Sequence, residues 1–320
     1  MQKTLKALAV AAILSAASFT AAIAAAPEST DPIRIPINEW TGQHISAHIT
    51  GELLKKMGYN VEYVTAGAVP QFAAIAQGTL NLQPEVWDNN VGDIYPKAVE
   101  SGDIIQIGPL GLTPREGWMY PPYVEEQCPG LPDWKAFVDC AQVFATPETF
   151  PKGRLITYPA DWGTRSKDLI EASGIPFQPV AGGSEGAMVA ELKSAYAAKQ
   201  PIVMMFWAPH WIHAELKFNW VDLPAYDDNC GTDASLGMYP DKVNDCGFAQ
   251  ANIGKIVNKG FKDKWPAAYK LVETIKIDND TQNKMMLEID NNGRKIEEVV
   301  DEWLKANEAT WKPWVDGASM

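Results

Sequence analysis

Short apolar runs alternate with segments of helical spacing along most of this chain, and no other feature restricts its possible folds as strongly. The stretch "IRIPINEW" (33–40) has the length and composition of a strand that ends in a polar loop. "GQHISAHITGELLKKMGY" then carries apolar residues at helical spacing and stops at Gly58, and "NVEYVTA" returns to strand character. "VPQFAAIAQGTL" predicts a short helix and "NLQPEVW" a third strand, so the order is βαβαβ, which implies a parallel sheet flanked by helices. A second series follows. "RLITYPADW" reads as strand and turn, "TRSKDLIEASG" and "SEGAMVAELKSAYAAKQ" as helices, and "PIVMMFW" as a strand buried on both faces. A loop-rich stretch from Asp222 to Gly247 leads to a strand-like piece and several C-terminal helices.

The start of the chain is not fold. Lys3 and Lys6 precede an apolar run from Ala7 to Ile23, and small residues follow, which is the pattern of a cleaved secretory signal over residues 1–25. No cysteine follows that could carry a lipid, so the mature chain is expected to be free in an exported compartment. No later run of eighteen apolar residues suggests membrane insertion. Without the two leader lysines, 25 Lys and Arg face 40 Asp and Glu, an acidic balance that excludes nucleic acid as a natural partner and is compatible with a cationic ligand. Four cysteines in an oxidising compartment allow three pairings, of which Cys128 with Cys140 and Cys230 with Cys246 form the simplest local loops.

Roughly 295 residues after the leader exceed what one core usually holds, so two α/β lobes with a ligand cleft between them are expected. The first lobe is drawn from residues 26–113 plus 222–320 and the second from 114–221. Ligands in such sheets sit beyond the carboxyl ends of the strands. Five of the twelve tryptophans fall at or near those ends: Trp40, Trp87, Trp118, Trp162 and Trp207. A single tryptophan is most simply a packing residue, but repetition at five strand ends points to a cage of indole faces. Such a cage suits a quaternary ammonium, which donates no hydrogen bonds and gains about 0.5 to 2 kcal/mol from each ring face.

The segments "NEWTGQHISAHITGELLKKMGYNVEYV", "QGTLNLQPEVWDNN", "YPADWGTRSKDLIEASG" and "MMFWAPHWIH" resemble the substrate-binding proteins of ABC importers for glycine betaine, choline and trimethylamine N-oxide. The resemblance runs over nearly all of the mature chain. It implies a two-lobed, type II-like periplasmic binding protein that closes around a trimethylammonium group, acts as a monomer, and delivers its ligand to a membrane permease with an ATPase. Carried over by position, the aromatic box would be Trp40, Trp87, Trp118 and Trp207, with Trp162 as a further member. Choline-type members carry an Asp after the first-strand Trp-Thr where this chain has Gly42, so choline loses its usual partner. The insertion "CPGLPDWKAFVDCAQVF" and the loop "DDNCGTDASLGMYPDKVNDCG" resemble most the trimethylamine N-oxide binders, with glycine betaine as the alternative.

Several polar residues are candidates for reading the other end of the ligand. Glu116, two residues before Trp118, would act as a neutral acid if indoles buried it and raised its pKa, and is otherwise a solvated turn residue beside Arg115. His210 is expected near Trp207, supporting the loop that presents it. His210 with His213, and His44 with His48, have spacings a metal could use, but no Cys or carboxylate pattern accompanies them. Asp227, Asp228, Asp233, Asp241 and Asp245 crowd one loop that either binds a structural calcium ion or is a solvated acidic loop; the EF-hand order is absent. No cofactor is otherwise expected. An enzyme reading survives as a secreted glycosidase with an aromatic cleft, for which Glu85 and Asp161 are the only carboxylate pair to nominate.

Overall fold

Strand β1 (Ile33–Ile37) pairs in parallel with β2 (Val61–Thr65), Ile33 opposite Val61, and helix α1 (Thr41–Lys56) makes the crossover. This computed structural model describes residues 27–89 and 91–319; the leader expected at 1–25 lies outside the described residues. Helix α1 ends at Met57 and Gly58, whose φ of +92° is a left-handed conformation that glycine adopts without steric cost. After α2 (Gln71–Ala76), strand β3 (Leu82–Trp87) comes to lie beside β1, with Asn81 donating its N–H to Arg34 O and accepting the Arg34 N–H through Oδ1. Helix α3 (Ile94–Glu100) and β4 (Ile104–Pro109) complete this run.

Strands β1 and β2 form a two-stranded sheet and β3 and β4 belong to another; the chain then crosses to a third, five-stranded sheet. Its elements are β5 (Arg115–Tyr120), α4 (Trp134–Asp139), β6 (Gly153–Thr157), α5 (Arg165–Ser173), β7 (Phe177–Ala181), α6 (Glu185–Ala198), β8 (Met204–Ala208), α7 (Ile212–Glu215) and β9 (Asn219–Trp220). The strand order is β7-β6-β8-β5-β9, with β6 parallel to β7 and β8, and β5 antiparallel to β8 and β9. Val203 to Phe206 are completely buried, as the continuous apolar run requires. The chain returns as β10 (Ile253–Asn258), inserted between β3 and β4 and antiparallel to both. Helices α8 (Phe261–Lys264), α9 (Pro266–Thr274), α10 (Asn279–Met286), α11 (Ile296–Ala306) and α12 (Glu308–Ala318) finish the fold, α10 running on into a π-helical turn at Leu287–Asn291.

This is the α/β class with mixed rather than purely parallel sheets. The antiparallel members, β5 and β10, are the strands that follow the two crossings between sheets, where no βα unit dictates direction. Both disulfides, Cys128–Cys140 and Cys230–Cys246, close the local loops that their spacing favoured. The loop from 222 to 248, drawn with the first lobe from the sequence, packs instead on the second. Asp222 N donates to Pro132 O at 2.8 Å, Lys242 Nζ donates to Ser173 O, and Phe248 lies edge-on to Trp118 at 6.1 Å. The chain rejoins the first lobe only near Ala249, whose carbonyl accepts from Asn89 at 2.9 Å.

Candidate functional site

A cavity of about 520 Å³, including its open mouth, is walled by Trp40, Trp87, Trp162, Trp207 and Tyr158, with Glu85 and Glu116 as its carboxylates. Each aromatic residue is delivered by the end of an element. Trp40 precedes α1 in extended conformation, Trp87 ends β3, Tyr158 follows β6, Trp162 closes a 3₁₀ turn at Ala160–Trp162, and Trp207 lies near the end of β8. The carboxyl ends of parallel strands share one edge of a sheet, so strand-end aromatics from both lobes converge on one space.

The rings are set at steep angles. Trp40 and Trp162 meet with centroids 5.2 Å apart at 65°, Trp162 and Trp207 at 5.6 Å and 70°, and Tyr158 and Trp207 at 5.7 Å and 71°. Edge-to-face contact is favourable for aromatic pairs and turns their faces in different directions, which makes the walls of a box rather than a stack. The indole N–H groups are tied down. Those of Trp40 and Trp87 donate to Glu85 Oε1 at 3.1 and 3.0 Å, and that of Trp162 donates to Glu39 Oε2 at 3.3 Å.

Trp118 is not part of this wall. It shares a face of β5 with Glu116, but lies one pleat further along, fully buried beneath Trp134 and Phe137 at centroid distances of 5.8 and 5.7 Å, with its indole N–H on Ser166 Oγ at 2.9 Å. Tyr158 stands where a further ring was expected. The sequence reading passed over it, although it follows a strand just as the tryptophans do. Its hydroxyl donates to Glu116 Oε1 at 2.8 Å, and burial, reinforced by the Glu116 charge, pushes its pKa far above the ordinary tyrosine value.

Glu116 is neither a solvated turn residue nor an isolated acid among indoles. Its side chain is 6% exposed, it forms a salt bridge with Arg165, and Oε2 accepts from Asn89 at 2.8 Å. Three donors thus converge on it, the arrangement of a hydrogen-bonded carboxylate. Arg165 lies over Phe248 at 4.9 Å, its Nε and Nη1 buried without hydrogen-bond partners.

His210 does not line the cavity. It is buried behind Trp207, edge-on at 5.2 Å and 89°, and its Nε2 lies 3.1 Å from Glu185 Oε1. Ile212 N donates to Nδ1 at 3.2 Å, which places the ring proton on Nε2, facing Glu185. Among the described residues, Glu185, His210 and Asp290 are the one place where three possible metal ligands come within 4.8 Å of one another. A metal on Nε2 would have to displace the proton that this tautomer holds there, so the trio is a hydrogen-bonded junction. It joins the two lobes: Thr41 donates its N–H to Glu185 Oε2 at 2.8 Å and its hydroxyl to Asp290 Oδ1 at 2.6 Å, and Trp211 Nε1 donates to Asp290 Oδ2 at 2.9 Å. The π-helical turn after α10 presents Asp290, which keeps an exposed face; desolvation of its carboxylate on the side turned to the junction, with the Glu185 charge nearby, raises its pKa.

The other nominated groups have local roles. His213 Nε2 is 2.9 Å from Trp207 O, His44 Nε2 is 2.6 Å from Asn38 O, and His48 stacks on Tyr63. Asp227, Asp228 and Asp233 accept hydrogen bonds from Asn229, Tyr226 and Ser235, Asp241 is exposed, and buried Asp245 accepts from Tyr239 N. No three of these aspartates converge in the way the Glu185 group does. Glu85 and Asp161 do not form a catalytic pair either: Glu85 is occupied by four donors, and Asp161 is exposed on its turn and absent from the cavity wall.

Two lobes, mixed sheets and a cavity walled from both of them define a solute-binding protein. Residues 31–306 match the substrate-binding domain of the ABC-type glycine betaine transport system, and the chain belongs to that family. It is 29% identical over 313 residues, 95% of this chain and 96% of the relative, to a trimethylamine N-oxide-binding protein of Pelagibacter ubique. It is 30% identical over 145 residues, 42% of this chain and 43% of the relative, to the glycine betaine/proline betaine-binding periplasmic protein of Escherichia coli. Its fold is that of a choline-binding protein of an ABC transporter solved with choline (TM-score 0.74, 18% identity, covering 91% of this chain and 93% of that one). Lactococcal OpuAC, closed on glycine betaine, is similar too (TM-score 0.69, 18% identity, 89% and 99% covered). No helix among the described residues is long and apolar enough to cross a membrane.

Proposed function

We propose that this protein is the periplasmic solute-binding component of an ABC importer and that its ligand is trimethylamine N-oxide, carried as a monomer to a permease and its ATPase. The observation that carries this reading is the box itself: Trp40, Trp87, Trp162, Trp207 and Tyr158 surround one cavity with differently oriented faces. Such a box holds a methylated cation by cation–π attraction, with no donor required from the ligand. The relative that matches along 95% of this chain supports the choice of N-oxide. Glu116 and Tyr158 form the polar corner of the cavity, with Arg165 and Asn89 holding Glu116, and Tyr158 is the hydroxyl there that the ligand's oxygen, a strong acceptor, can recruit. Glycine betaine is the second reading, favoured by the family match.

Calorimetric titration with trimethylamine N-oxide, glycine betaine and choline tests the proposal. Micromolar or tighter binding of the N-oxide, with weaker binding of the other two, is the expected result. Preference for glycine betaine would reassign the polar corner, and no heat from any of the three with folded protein would remove the trimethylammonium reading.

A further inference from the structure

We propose that Glu85 determines the charge selectivity of the box, by fixing two of its indoles and by supplying the negative charge that a cationic head group neutralises. This rests on the reading that the cavity holds a methylated amine. Glu85 is 1% exposed yet lies on the cavity wall. Its Oε1 accepts the indole N–H groups of Trp40 and Trp87, and its Oε2 accepts from Ser46 Oγ at 2.6 Å and Gln282 Nε2 at 2.8 Å. Four donors fill the four acceptor positions of a carboxylate. All four donors are neutral, and among the described residues Glu85 has no ion pair.

The contrast is with Glu116, the other carboxylate of the cavity, which Arg165 pairs. Burial of an unpaired charge is expensive, and the cost is recovered when an opposite charge enters the same dry space. Two indoles that donate to a carboxylate are also fixed in orientation and made more electron-rich, which strengthens the faces they turn to the cavity. Glu85 reaches the cavity with almost none of its surface exposed and holds two of the ring walls, so it acts as a positioning and selectivity residue rather than as a further ring.

The test compares each methylated amine that binds the wild-type protein with its neutral-headed carbon isostere: tert-butanol for trimethylamine N-oxide, 3,3-dimethylbutanoate for glycine betaine, 3,3-dimethylbutan-1-ol for choline. Glu85→Gln preserves shape and removes the charge. The expected result is a loss of tenfold or more for the ammonium compound with less than about a twofold change for the isostere, so that preference for the charged head collapses. Parallel loss of both would reduce Glu85 to scaffolding and overturn the proposal, as would an unchanged ammonium affinity. Should Glu85→Gln not fold, Glu85→Asp keeps the charge on a shorter arm. It is expected to bind both ligands less well yet still prefer the ammonium compound, and loss of that preference would overturn the proposal equally. A wild-type protein that binds no methylated amine would remove the proposed function and this inference with it, an outcome separate from failure of the variants alone.

Discussion

Tryptophans at neighbouring positions in this chain do unlike work, and substitutions should separate them. Trp118 is core, so Trp118→Ala should cost about 3 to 5 kcal/mol of stability, seen as a lower midpoint in urea unfolding, while the fraction that remains folded keeps its ligand affinity. Trp87 is a half-buried wall residue, so Trp87→Leu should weaken binding of the amine roughly 3- to 30-fold in calorimetry with a smaller change in the unfolding midpoint. The strand-end rule located four of the five ring walls from the sequence. It failed at Trp118 because position along a strand decides face but not depth: one pleat separates the cavity from the core. It passed over Tyr158 because the sequence argument weighed indoles alone.

At the scale of elements, two features should respond to solution conditions. Lys255 lies buried in the middle of β10, and its Nζ donates to Glu273 O and Ile275 O at the end of α9. Burial lowers its pKa to about 7. The unfolded chain, with an ordinary lysine near 10.5, then binds more protons than the folded one between those values, so this group makes stability rise as pH increases from about 7 towards 10. Lys255→Met should flatten that part of a stability profile measured by urea unfolding. The Cys230–Cys246 bond closes a loop that rests on the second lobe, and Cys230→Ser with Cys246→Ser should lower stability by about 3 kcal/mol, with proteolytic cleavage beginning within that loop. The pairing was legible because both loops are short. The side on which the loop docks was not, since it depends on contacts such as Lys242 with Ser173 that no local pattern encodes.

For the molecule as a whole, the junction of Thr41, Glu185, His210, Trp211 and Asp290 ties the two lobes together beside the box. Desolvation beside Glu185 raises the Asp290 pKa above the ordinary value of 3.8. Asp290 keeps an exposed face, and the charge that opening would take away from it is that of Glu185; closing then takes up a proton, and the closed form gains relative stability as pH falls from neutral into the range above 3.8. Ligand affinity should therefore increase modestly over that range, and Asp290→Asn should remove the dependence, as read by calorimetry at a series of pH values. Unchanged pH dependence in the variant would place the linkage elsewhere.

The sequence by itself determined the α/β class, the two series of elements, the disulfide loops and the aromatic character of the site, because each is written in local periodicity, spacing or residue type. Only the tertiary structure decided which aromatic rings face the cavity, that β5 and β10 run antiparallel, and that Glu85 and Glu116 differ so sharply. One carboxylate meets neutral donors and the other an arginine, from residues as far apart in the chain as Trp40 and Gln282 or Asn89 and Arg165. Such surroundings are a property of three-dimensional packing, where depth and partner depend on every element that closes over a side chain.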